Sequence, residues 1–162
     1  MSTPILAPLS IDGIWINELQ FKINGPLGED PEKNLSIGIS VIHDPITPDN
    51  MGMARVALSV RCSFSNKEDA EESHEVSMAH VDATGECIVE LLASMESSEA
   101  AKRYLLTNAV SFIYAEIRSQ VASLFSHSQI NQRIDLPPII PSVLVDGYLK
   151  QRELHADEES EY

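Results

Sequence analysis

Five histidines, His43, His74, His80, His127 and His155, are the side chains of this sequence most able to hold a transition metal. Their spacing argues against it, because none forms an H-x-x-x-H pair or a Cys/His pair at ligand distance along the chain. Ser77, His80 and Asp82 lie close enough in sequence for a nucleophile, base and orienting acid. On a strand, however, Ser77 projects from the face opposite His80, and no G-x-S-x-G elbow is present to expose a serine. Glycine-rich phosphate cradles of either standard pattern are also missing, so neither nucleotide chemistry nor a bound cofactor is expected. The residues point away from an enzyme.

What the composition does offer is apolar surface. Trp15, Phe112, Tyr114, Phe125 and Tyr148, with the run Ile139-Ile140-Pro141, exceed what one small sheet-and-helix core needs to fill itself. Part of this set belongs to the core and to contacts between subunits. The remainder suits a groove that accepts nonpolar segments of another protein. The charge is consistent with that use: 11 Lys+Arg against 25 Asp+Glu give a formal charge of −14, which keeps an apolar surface soluble and repels phosphate backbones and anionic membranes. Nucleic-acid binding is therefore disfavoured. No window approaches the roughly 18 to 20 apolar residues of a membrane span, and MSTPILAPLS lacks the basic flank and apolar run of a secretory signal, so a cytoplasmic protein is expected. Cys62 and Cys87 fall in or beside strand patterns and read as reduced core thiols without a disulfide.

The elements that must position these residues follow from periodicity. At 162 residues the chain suits one domain, expected over 11–152 between a flexible leader at 1–10 and a disordered acidic tail at 153–162. Trp15, Leu19, Phe21 and Ile23 alternate with Glu18, Gln20 and Lys22, a strand of period two. Asn24-Gly25-Pro26 ends it and residues 29–34 read as a loop. Leu35, Ile37, Ile39 and Val41 mark a second strand, Val56, Leu58, Val60, Cys62 and Phe64 a third, and residues 76–81 a fourth. Four strands without intervening helices require an antiparallel sheet. From Glu99 to about His127 there is no Gly or Pro, and Leu106, Val110, Ile113, Ile117, Val121 and Leu124 recur at helical steps. Ser97 and Ser98 are N-cap candidates. Pro137-Pro138 enforces extended backbone, and a short helix begins near Pro141 with Leu144, Val145, Tyr148 and Leu149 on one side. The expected class is α+β: a four-stranded antiparallel sheet, a long helix that covers its apolar face, and a short C-terminal helix.

With these elements in place, several segments resemble the SecB-like export chaperones. Phe112-Ile113-Tyr114-Ala115-Glu116 is similar to that family's F-P-Y-A-R helix motif, with Ile113 for the proline and Glu116 for the arginine. Leu136-Pro137-Pro138-Ile139 resembles the L-x-P-V/I segment before its last helix, on which Leu144, Tyr148 and Leu149 occupy apolar positions. Ile14-Trp15 and Glu18-Leu19-Gln20-Phe21 resemble its first strand, I-Y-x-x-D-x-S-F. Gly85 matches a family glycine, and Cys87 stands where an aromatic is usual.

The resemblance implies an ATP-independent holdase that binds unfolded or preprotein clients, assembled as a homotetramer from two dimers. It implies a client groove lined by Trp15, Ile139, Pro141, Leu144, Val145 and Tyr148, and subunit contacts near the long helix through Phe112, Ile117, Val121 and Phe125. It also implies an acidic face that docks a SecA-type translocase motor. There Glu18 keeps the first acid, Lys22 replaces the second and His80 falls near the third, which weakens the expected motor contact and leaves protein export and a dedicated client such as an antitoxin both open. A secretion-system adaptor chaperone is the alternative, but such adaptors normally begin with a helix. A small enzyme is a third reading, and no motif supports it.

Overall fold

The computed structural model describes residues 9–43, 53–66, 78–92, 95–127 and 134–159. Four strands come first: β1 Leu9–Ile23, β2 Glu32–His43, β3 Met53–Ser65 and β4 Ala79–Leu91. The helices α1, Ser98–His127, and α2, Pro141–Glu159, follow. The strands are antiparallel throughout and lie in the order β1-β4-β3-β2, so β1 and β2 form opposite edges. This is the expected α+β class with its helices on one side of the sheet.

Alternation decides which face of the sheet is covered. In β3, Ala54, Val56, Leu58, Val60, Cys62 and Phe64 are buried, and in β4 the odd-numbered residues from Ala79 to Leu91 are buried in the same way. Against them lies the α1 stripe of Leu106, Val110, Ile113, Ile117 and Val121. Each large aliphatic side chain so buried contributes about 1.5–3 kcal/mol before ordering costs. Gly85 lets the layers approach: a Cβ there would stand 2.7 Å from Ile113 Cγ2 and 3.0 Å from Ile16 Cδ1. Phe125 closes the layer edge-on to Phe21, with ring centroids 4.3 Å apart. Leu124, expected in the stripe, is instead 48% exposed. A helix of 3.6 residues per turn hands its buried face to Phe125 at that point.

The helix ends obey local chemistry. The Ser97 hydroxyl accepts from the Ala100 amide at 3.1 Å and caps α1. Pro141 opens α2, where its missing N–H costs nothing, and the amides of Val143 and Leu144 donate to the Ile140 carbonyl.

Several boundaries differ from expectation. Strand β1 begins at Leu9, inside the stretch expected as a leader, because Leu9 pairs with Leu91 and Ile11 with Val89. Strand β2 begins at Glu32, inside the expected loop. The fourth strand runs to Leu91; its buried positions are filled by Ala83, Gly85 and Cys87, whose small side chains give a weak hydrophobic alternation. Residues 71–77, including Ser77, lie outside the described residues. Finally, α2 continues to Glu159 through most of the stretch expected as a disordered tail. From Gln151 to Ala156 this helix is exposed on all sides.

Candidate functional site

Between α2 and the free edge of the sheet lies a groove of about 510 Å³. Its floor and one wall come from Ile37, Gly38 and Ile39 of β2, and its other wall from Val143, Leu144, Gly147, Tyr148, Gln151, Arg152 and His155 of α2. Two features of the fold produce it. As an edge strand, β2 pairs only with β3 among the described residues and leaves its outer backbone groups without a strand partner. Helix α2 is held off this edge by its contacts to α1: Val145 is fully buried, and Arg103 meets Asp146 through two bonds of 2.8 and 2.9 Å. Tyr114 of α1 fixes the approach to α2 by donating its hydroxyl hydrogen to the Pro137 carbonyl oxygen at 2.5 Å.

The groove is apolar where an extended chain would lie. Val143 on its wall is 63% exposed; Ile140, just before α2, and Leu154, further along it, are each 66% exposed beyond the groove lining. At Gly147 nothing stands within 4 Å of where a Cβ would be, and its backbone conformation is ordinary. A glycine inside a helix costs about 1 kcal/mol against alanine, and no contact within the protomer requires this one. Its effect is to leave the helix wall low in the middle of the groove.

Of the residues implied for the groove, Leu144 and Tyr148 line it. Ile139 packs, half-buried, against the core, and Pro141 starts the helix beside it. Val145 does not line the groove, because the helical phase that exposes Val143 turns Val145 inward against α1. Trp15 is also elsewhere. A β-bulge between Ile16 and Glu18 shifts the register of β1, so Trp15 shares a face with Glu18, Gln20 and Lys22, not with Leu19 and Phe21. It lies over the Arg55 guanidinium at 5.6 Å, on the open face of the sheet and at the edge opposite β2.

The residues implied as subunit contacts divide in the same way. Phe112 is 37% exposed on the outer side of α1, whereas Ile117, Val121 and Phe125 are buried against the sheet of their own protomer and cannot meet another chain. Ile37, Ile39, Val143 and Arg152 were not among the expected groove residues. The alternation of β2 marks Ile37 and Ile39 as inward-facing, but chain order does not reveal that β2 ends up at the sheet edge beside α2.

The open face of the sheet is polar. Arg55 pairs with Glu86 at 2.5 Å, Asn17 donates to the same carboxylate, and Arg61 pairs with Asp82 at 2.7 Å. Glu18 accepts from Gln20, and Lys22 lies opposite His80 in the register. His80 stands 3.7 Å from Asp82. Thus Glu18, Lys22 and His80 do share one face, and the face carries both signs of charge.

Burial pushes the Cys62 thiol up to about 11 and the Cys87 thiol up to about 12, which disfavours the reactive thiolate. Among the described residues there is no group of three or more His, Cys, Asp or Glu side chains placed to hold a metal ion, and no helix is long and apolar enough to cross a membrane.

No family model matches the chain, and no curated protein matches its sequence. Solved structures do match. The SecB-like chaperone of Mycobacterium tuberculosis, in complex with a ChAD peptide from the HigA1 antitoxin, superposes with a TM-score of 0.58 at 16% identity, covering 82% of this chain and 91% of that one. A protein of unknown function from Streptococcus agalactiae aligns with a TM-score of 0.46 at 6% identity, over 80% of this chain and 97% of that one. The four-stranded antiparallel sheet, the long α1 and the shorter α2 thus form a SecB-like fold.

Proposed function

We propose that this protein is an ATP-independent holdase that takes up nonnative polypeptide in the groove between α2 and β2. The observation that carries the reading is the groove itself: exposed Val143 and the half-buried Leu144 and Tyr148 face the unpartnered edge of β2. An extended client segment would satisfy both halves of such a site, placing alternate side chains against the apolar wall and its backbone along the strand edge. Affinity then comes from many small apolar contacts, at roughly 25 cal/mol per Å² before ordering costs. Fold-level likeness to a chaperone solved with an antitoxin peptide supports the same reading.

On this reading the protein works in the cytoplasm as a homotetramer built from dimers, with exposed Phe112 at a subunit contact. A dedicated client such as an antitoxin is favoured over general export, because Lys22 and His80 stand on the face where a translocase motor would seek acids. Hydrogen exchange with and without a bound apolar peptide tests the site. Protection should appear in β2 and in α2 from Val143 to Arg152; protection confined to the open face of the sheet would contradict it.

A further inference from the structure

In a chain of charge −14, the groove wall contains no carboxylate among the described residues that line it. Its only permanently charged lining group is the Arg152 guanidinium, with His155 beside it at the same end. Two acids of α2 stand clear of the groove: Asp146 is paired with Arg103, and Glu153 is exposed outside the groove lining. Arg152 is held in place by a neutral partner. Its Cζ lies 6.0 Å from the Tyr148 ring centroid, and its Nη1 donates to the Tyr148 hydroxyl at 3.4 Å. Among the described residues no carboxylate neutralises it. A guanidinium anchored on an aromatic ring at the end of an apolar trough keeps its outer N–H donors for a carboxylate, which it can bind through two parallel bonds.

We infer that the groove selects extended apolar segments that carry an acidic side chain at the Arg152 end. This rests on the groove being the client site. The field of the whole chain favours the opposite choice, since a charge of −14 attracts basic segments. At physiological salt that field decays over roughly 8 Å, whereas Arg152 acts at contact distance, so the local term decides the preference. The preference should therefore persist at 0.15 M salt and weaken, without changing sign, as salt rises further.

Three synthetic apolar peptides, identical except for a single Glu, Gln or Lys at one end, test this by fluorescence anisotropy on the full chain. The Glu peptide should bind roughly two- to fivefold more tightly than the Gln peptide, the range of an exposed ion pair, and the Lys peptide more weakly than either. Arg152→Gln should remove the difference and Arg152→Glu should invert it, both with unchanged circular dichroism because Arg152 is exposed. Equal binding of the three peptides, or an order that survives Arg152→Glu, overturns the inference and leaves the groove as the client site. Absence of binding by every peptide overturns the groove reading, and the inference with it.

Discussion

The Tyr114 hydroxyl, on a residue only 3% exposed, donates to the Pro137 carbonyl oxygen across 2.5 Å and so couples the long helix to the segment that launches α2. The bond ties the sheet-and-helix core to the segment that leads into one wall of the groove. Removing it with Tyr114→Phe should lower stability by about 1 kcal/mol, the usual net worth of a hydrogen bond. Peptide affinity should fall with it as α2 loses its fixed angle. Urea titration and anisotropy on the same variant check both effects; a stability loss with unchanged affinity would show that α1 and Asp146 alone hold α2 in place.

Alkaline pH should unfold the protein earlier than its charge alone requires. Burial raises Cys62 and Cys87 from 9.0 to about 11 and about 12, and Tyr114 from 10.0 to about 12. The unfolded chain loses these protons first, so the folded state binds more protons and stability declines as pH rises. The contribution is complete below pH 9 and is lost between about 9 and 12. Melting temperature measured across this window should fall, and Cys87→Ala should flatten the fall while lowering the value at neutral pH.

Gly85 should tolerate no side chain. An added methyl group meets Ile113 and Ile16 from two sides, at 2.7 and 3.0 Å, so either α1 or β1 must move. Gly85→Ala should cost about 1–3 kcal/mol in denaturant unfolding, as overpacking of a core does. A neutral effect would mean that the layers are separable at this point.

Trp15, the single tryptophan, should be a poor reporter of the groove. It stands on the other face and at the opposite edge, three strand spacings or roughly 14 Å away across the sheet. Saturating peptide should leave its emission unchanged, whereas Arg55→Ala should shift it by removing the cation above the ring. A peptide-induced shift would bring Trp15 to the bound segment and restore it to the site.

The sequence carried most of the architecture and only part of the site. The α1 stripe and the β3 alternation are readable because large side chains repeat at periods of 3.6 and 2, whereas Leu144 and Tyr148 enter the groove through the family resemblance, since the phase of α2 groups them with buried Val145. Trp15 was misplaced because a bulge at residues 16–18 breaks the period without any glycine or proline to mark it. Ile117, Val121 and Phe125 are subunit contacts only by the family resemblance; the helical stripe already turns Ile117 and Val121 to the sheet, and packing buries all three there. Ile37 and Ile39 were missed because spatial strand order, β1-β4-β3-β2, is a property of the whole chain.

Groove binding is tested most directly by the aggregation of a chemically denatured client, followed by light scattering without nucleotide. The unmodified protein should slow aggregation, and ATP should change nothing. Leu144→Ser with Tyr148→Ser should abolish most of the effect. Val143→Asp should also weaken it, with circular dichroism intact, because Val143 is 63% exposed and supports no core. Full suppression by the Val143→Asp and the double variant, or no suppression by the unmodified protein, would contradict a holdase acting through the α2–β2 groove.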